Sequence, residues 1–214
     1  MFAVTILGNN SAVPANDRYP TAQVITCQNQ LYLIDCGEGT QMQIAKYKIR
    51  RSKIHHIFIS HLHGDHYFGV IGLINSYSLT GRRDPLHIYA PPELKEIIDL
   101  QLNCANTRLT FNLQFTALYP DKTGLLLEEN DLCVYNFNTN HRITCFGFLF
   151  EEKKTNRKIL PDKARDYNIP AYFFSELQAG KDYHHKDGTV IPNALVTADP
   201  PKSKRYAYCA DTLY

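Results

Sequence analysis

Six consecutive residues, His61-Leu62-His63-Gly64-Asp65-His66, restrict this chain more than any other stretch. They follow the apolar run Ile54–Ser60, which is short, β-branched and aromatic, and so predicts a buried strand. Tyr67–Ile74 predicts the opening of a helix, with Asp65 and His66 near its N-terminus. Four metal-ligand side chains therefore crowd a turn that a sheet holds in place while leaving the side chains free for chemistry. Imidazole nitrogen and carboxylate oxygen are the ligands of a hydrolytic zinc site. Two histidines one residue apart reach one metal from such a turn, and an adjacent aspartate and histidine serve a second. Two close metals polarise a phosphate and acidify a shared water.

The rest of the composition is ordinary. Of 214 residues, 44% are hydrophobic, enough for a packed core, and 21% are charged, which suits a soluble protein. A net charge of +2 is too small to argue for nucleic-acid binding alone. No apolar run approaches the roughly 20 residues of a membrane span. The N-terminus lacks the basic start and long apolar stretch of a secretory signal. The six cysteines (27, 36, 104, 133, 145 and 209) are scattered without a Cys-x-x-Cys, and read as small buried hydrophobes in a reducing cytoplasm.

Along the chain, Phe2–Leu7 predicts a strand running into a loop of turn formers. Ala22–Cys27 and Leu31–Asp35 predict a hairpin, and Gln41–Tyr47 a helix. Lys46–Lys53 holds five basic residues, which read as a solvated helix end or, more sharply, as contact with a polyanion. A helix around 69–79, the strand Leu86–Ala90 and a helix from Pro91-Pro92 to Leu102 come next. Phe111–Leu118, Gly124–Leu127, Leu132–Asn138 and Thr144–Phe150 predict a four-stranded antiparallel meander. Hairpins mixed with crossover helices make the class α/β or α+β, a sheet covered by helices on one face. At Glu151 the composition turns polar and proline-rich, so about 150–204 reads as an extended arm leaving the core of 1–150, with 205–214 returning to it. The arm mixes basic residues, among them Lys153, Lys154, Arg157 and Lys181, with Tyr167, Tyr172, Phe173, Phe174 and Tyr183. That mixture fits a nucleic-acid surface or a merely solvated arm. His55, His56 and His87 read as incidental, and His184 and His185 as surface residues.

The histidine cluster resembles the signature of the metallo-β-lactamase superfamily, and the motifs together resemble the ribonuclease Z family, tRNA 3′-processing endonucleases. Leu7-Gly8-x-x-Ser11-Ala12-x-Pro14 is similar to the family's first loop, and Leu33–Gln41 to its second motif. His141 with Phe146-Gly147-Phe148 is similar to its third metal motif, and Tyr208–Thr212 to its Gly/Ala-Asp-Thr motif. The resemblance implies an αβ/βα sandwich with its second half incomplete and a protruding exosite arm. It implies zinc held by His61, His63 and His141, a second zinc by Asp65 and His66, and Asp211 bridging both. Asp65 also handles a proton, and Asp35 orients the site from behind. The implied reaction is attack of a metal-activated hydroxide on a phosphodiester of precursor tRNA, leaving a tRNA 3′-hydroxyl. The implied assembly is a homodimer whose arm, with Lys153, Lys154, Arg157 and Lys181, presents tRNA.

Two departures stand out. Where the family has Gly-Pro in the arm, this chain reads Ile169-Pro170-Ala171-Tyr172, although Gly180-Lys181 is similar to the family's next arm residues. The family also continues past its Asp-Thr motif with an assisting histidine and a last ligand for the second metal. The expectation is that this chain is a fragment or has lost that remainder, with an incomplete second site and impaired activity. Two other readings remain open: a hydrolase of small phosphodiesters or sulfate esters, and a non-catalytic tRNA-binding homologue.

Overall fold

The structure, a computed structural model, describes residues 1–13, 15 and 17–213. Pro14 of the first-loop motif and Tyr214 lie outside them. The chain divides into two compact units, residues 1–151 with 205–214, and residues 152–204.

The larger unit opens with β1 (Phe2–Gly8), β2 (Ala22–Cys27) and β3 (Gln30–Ile34), an antiparallel meander. After α1 (Thr40–Lys46) the chain enters β4 (Ile54–Phe58), parallel to β3. The short α2 (Gly64–Tyr67) and α3 (Val70–Leu79) lead to β5 (Leu86–Ala90), and α4 (Glu93–Cys104) leads to β6 (Leu113–Ala117). The six strands form one sheet in the order β1-β2-β3-β4-β5-β6. Strand periodicity divides its side chains between two cores. Leu33, Ile57 and Ile88 stand in register and pack with Ile44, Leu73, Ile74, Leu94 and Ile98 of the helices. One residue on, Ile34, Phe58 and Tyr89 point the other way and pack with Val134, Phe146, Phe148 and Phe150 of a second sheet. That sheet holds β7 (Gly124–Glu128), β8 (Leu132–Asn138), β9 (Phe146–Glu152) and, at its edge, β14 (Arg205–Tyr208), in the order β14-β9-β8-β7. The layers are thus helix, sheet, sheet. Each fully buried Leu, Ile or Phe stabilises them by about 1.5–3 kcal/mol.

The structure corrects four expectations. Phe111–Leu118 does not join the meander: β6 pairs parallel with β5 in the first sheet, so the antiparallel run begins at β7. The buried run after Lys53 is a paired strand only to Phe58: Ile59 N still donates to Tyr89 O of β5, and Ser60 O turns to accept from Phe146 N at the start of β9. Asp65 and His66 lie within a separate helical turn, α2, that stops before Gly69. Cys104 and Cys209 are exposed, against the reading of the cysteines as buried; all six are free thiols.

Residues 152–204 are not an extended arm. They fold around their own small core of Ala164, Ile169, Leu177, Ile191 and Val196. Its framework is β10 (Lys158–Ile159) paired with β13 (Thr197–Ala198), β11 (Tyr183–His184) paired with β12 (Val190–Ile191), and the short helices α5 (Pro161–Asp166), α6 (Phe174–Gln178) and α7 (Asn193–Val196). The buried Asn193 side chain ties this unit together, donating to the carbonyls of Leu177 and Lys181. Three of the prolines that suggested an irregular arm, Pro161, Pro170 and Pro192, stand at the starts of helical turns instead.

Candidate metal centre

The centre is built at the C-terminal ends of β3 and β4. Asp35 follows β3 in the left-handed region, φ 53°, and is fully buried. Its carboxylate accepts four hydrogen bonds. Ser60 N donates to Oδ1 at 2.7 Å, while Ser60 Oγ, His66 Nδ1 and Tyr208 OH converge on Oδ2 at 2.9, 2.7 and 2.6 Å. Burial and the Asp35 charge push the Tyr208 hydroxyl's pKa far up, so it stays a donor. Because Ser60 Oγ donates to Asp35, it is free to accept from His61 Nδ1 at 3.0 Å. His61 and His66 thereby hold their protons on Nδ1 and turn the Nε2 lone pairs outward.

Those lone pairs meet a cluster. His61 Nε2 lies 2.9 Å from His63 Nδ1, and His141 Nε2 lies 3.3 Å from the same atom. Asp211 Oδ2 is 3.8 Å from both His61 Nε2 and His141 Nε2. One ligand atom from each of His61, His63, His141 and Asp211 fits within 4.8 Å of the others. Tetrahedral zinc with bonds of about 2.0–2.1 Å separates its ligands by roughly 3.3–3.4 Å. Four of the six ligand pairs, at 2.9–3.8 Å, bracket that spacing, and three nitrogens with one oxygen suit zinc chemically. Next to this group, His66 Nε2 lies 3.5 Å from Asp65 Oδ2 and 3.9 Å from Asp211 Oδ1. Asp211 therefore turns one oxygen to each set.

Long-range contacts bring these residues together. Phe146 N donates to Ser60 O, which ties the start of β9 to the histidine turn. Thr139 Oγ1 and Cys145 Sγ both donate to the Asp211 carbonyl, holding that loop beside His141. The loop after β3 is stitched to α2: Cys36 N donates to His66 O, and Gly69 N to Cys36 O. Gly37 and Gly69 make this possible, since a Cβ on either would fall 2.3 or 2.2 Å from a backbone oxygen.

Burial and the neighbouring His66 push the His61 pKa down to about 4, and burial with the nearby Arg142 lowers that of His63. Burial also acts to lower the His66 pKa, but its Asp35 hydrogen bond and the charges of Asp35, Asp65 and Asp211 outweigh burial and raise it.

Comparison with known proteins decides the family. The chain is 40% identical to the ribonuclease Z of Bacteroides fragilis over 215 residues, covering 100% of this chain and 70% of that protein. It belongs to the ribonuclease Z family. Among solved structures, the short form of human tRNase Z matches with a TM-score of 0.62 and 34% identity, over 69% of this chain and 64% of that one. The Bacillus subtilis metallo-β-lactamase fold protein YhfI matches at 22% identity and a TM-score of 0.52, over 69% of this chain and 56% of that one, and shows the same fold. A family model described as anti-Pycsar protein Apyc1 also matches residues 2–162. The chain thus has the metallo-β-lactamase fold of a ribonuclease Z and is a hydrolase-family member with a metal-ligand group.

Ribonuclease Z motifs single out the residues that converge here but assign no role to three of their neighbours. Ser60 gave no signal beyond its place at the end of an apolar run, and Tyr208 stood in the last motif without a role of its own. Arg142 gave none either, as a lone arginine in a loop; it donates from Nε and Nη2 to His63 Nε2 at 3.2 and 3.1 Å. In the 152–204 unit, Arg157 is engaged by Thr197 and Asp199, and Lys181 forms a 2.5 Å ion pair with Glu176. Lys154 is exposed and Lys153 half-buried. Of the other histidines, His56 pairs with Glu129 at 3.2 Å and His185 bonds the Tyr167 carbonyl, so both serve structure. No described helix is long and apolar enough to cross a membrane.

Proposed function

We propose that this protein is a zinc-dependent endoribonuclease that removes 3′ trailers from precursor tRNA. The observation that carries this reading is the convergence of His61, His63, His141 and Asp211 at the end of β4 on a ribonuclease Z scaffold. His61 Nε2, His63 Nδ1, His141 Nε2 and Asp211 would hold one zinc; Asp65, His66 and Asp211 would hold a second. Zinc bound there supplies Lewis acidity, lowering the pKa of a water and drawing charge from phosphoryl oxygens. Asp65, against His66 and only partly exposed, accepts the proton released by the attacking water. Asp35 and Ser60 keep both imidazoles in the tautomer that leaves Nε2 open. Water attacks the phosphorus in line as the bond to the 3′ oxygen breaks; the proton taken up by Asp65 is returned to that departing oxygen, so the tRNA leaves with a 3′-hydroxyl and the trailer keeps a 5′-phosphate.

The 152–204 unit serves in this reading as an RNA-binding exosite through Lys153, Lys154, Arg157 and Lys181. The Lys181–Glu176 pair is exposed, and a surface pair worth about 0.2–1 kcal/mol gives way readily to a phosphate. The protein acts as a cytoplasmic homodimer, the exosite of one subunit presenting tRNA to the other.

The test offers precursor tRNA and a small chromogenic phosphodiester to the zinc-loaded protein. Metal-dependent cutting at the 3′ boundary, lost in His63→Ala, is the expected result. Hydrolysis of the small ester alone would instead assign a small-phosphodiester hydrolase. RNA binding with no zinc retained would assign a non-catalytic role.

A further inference from the structure

The basic run after α1 takes no part in the metal centre. Between α1 and β4 the chain lies against the turn that ends α3, and the two segments enclose an open groove of about 870 Å³. Lys48, Arg50, Arg51, Arg82 and Arg83 line it, with Asp84 the one carboxylate among its lining residues. Lys48, Arg50, Arg51 and Arg83 are exposed, and none has an ion-pair partner among the described residues. Like charges gathered without counter-charges repel and favour a bound anion.

Two buried side chains lining the same groove carry unpartnered polar atoms. Tyr77 is 1% exposed and its hydroxyl has no hydrogen bond. Arg82 is 9% exposed; its Nε donates to Asp84 O and its Nη2 to Pro85 O, while Nη1 has no partner. The guanidinium lies 4.8 Å from the Tyr77 ring centroid and 5.7 Å from that of Phe111. A buried donor left unpaired costs about 1–3 kcal/mol. Both atoms lie beneath the groove floor, and it is the rim itself, four exposed cations without ion-pair partners among the described residues, that suits a ligand rich in acceptor oxygens and negative charge. Guanidinium groups match phosphate by paired hydrogen bonds.

We propose that this groove is a phosphate-binding site separate from the metal centre, taking the phosphates of an RNA backbone or of a free polyphosphate. It lies where the chain enters β4, whereas the histidines lie where it leaves. Lys53 and His61 are separated by roughly 26 Å of extended chain at about 3.3 Å per residue. The proposal stands whether or not the metal centre processes tRNA.

The test measures binding of two probes, inorganic triphosphate and a fluorescent short oligoribonucleotide, to the intact protein at about 50 mM salt, where screening is weak. Arg51→Ala/Arg83→Ala should weaken binding about tenfold, each lost charge-assisted contact contributing. Tighter binding of the oligonucleotide assigns the groove to a polymer, tighter triphosphate to a free polyphosphate; either supports it. Equal affinity of wild type and folded Arg51→Ala/Arg83→Ala would overturn it, as would failure of both probes to bind.

Discussion

Four donors end on the Asp35 carboxylate, and two of them fix the tautomers of His61 and His66 directly or through Ser60. Asparagine tolerates the left-handed backbone there but cannot accept all four bonds. Asp35→Asn should therefore fold and lower zinc affinity about 10–100-fold, read by chelator competition. Arg142 poses a sharper question. As acceptor for Arg142, neutral His63 carries its proton on Nδ1, the atom that faces His61 and His141. With Nδ1 given to a metal, His63 would carry its proton on Nε2 and could no longer accept from Arg142, which would leave that guanidinium free at the mouth of the site. Arg142→Ala should raise KM for an RNA substrate several-fold and leave zinc content unchanged. The histidines also differ in proton affinity. His61 stays neutral down to about pH 4, whereas His66 in the metal-free protein binds its proton more tightly than usual. A metal at His66 must displace that proton, so its affinity falls as pH drops below neutral. On titration from alkaline to mildly acidic pH, metal analysis should show the zinc held with His66 and Asp65 leaving first.

At the scale of elements, the glycines where the β3 loop crosses α2 decide whether Asp65 and His66 reach the centre. Gly69→Ala would bring a Cβ within 2.2 Å of Gly37 O and 2.9 Å of Cys36 O, both backbone atoms that move only with their loop. It should destabilise the protein by about 1–3 kcal/mol, as overpacking does, and weaken the second metal more than the first, measured by thermal melts and zinc stoichiometry. The same scale shows what the sequence could say. Strands β1 to β5 and helices α1, α3 and α4 were legible, because each carries its own period and turn signals. The partner of β6 was not: nothing local distinguishes a strand that crosses back parallel through α4 from one that opens a meander. His61, His63, Asp65 and His66 were legible because they are contiguous. The roles of Ser60 and Tyr208 were not: Ser60 only ends an apolar run, Tyr208 stands in a motif that points to Asp211, and both meet Asp35 only across the fold.

The molecule as a whole is two units with separate cores. The short apolar stretches of 152–204 hid its core, because five buried residues spread over several helical turns and strand pairs leave no periodic run. Leu177 is fully buried there, so Leu177→Ala should cost about 2–5 kcal/mol within that unit. Zinc binding should persist while RNA affinity falls, read by calorimetry with metal analysis and by RNA titration. The metal centre itself is tested most directly by X-ray absorption at the zinc edge on the reconstituted protein. With one equivalent of zinc, the expected result is nitrogen and oxygen ligation at about 2.0–2.1 Å with scattering from three imidazoles, reduced in His63→Ala. A natively folded protein that retains no zinc, or one whose zinc is bound by sulfur, as the exposed Cys104 and Cys209 would provide, would contradict it.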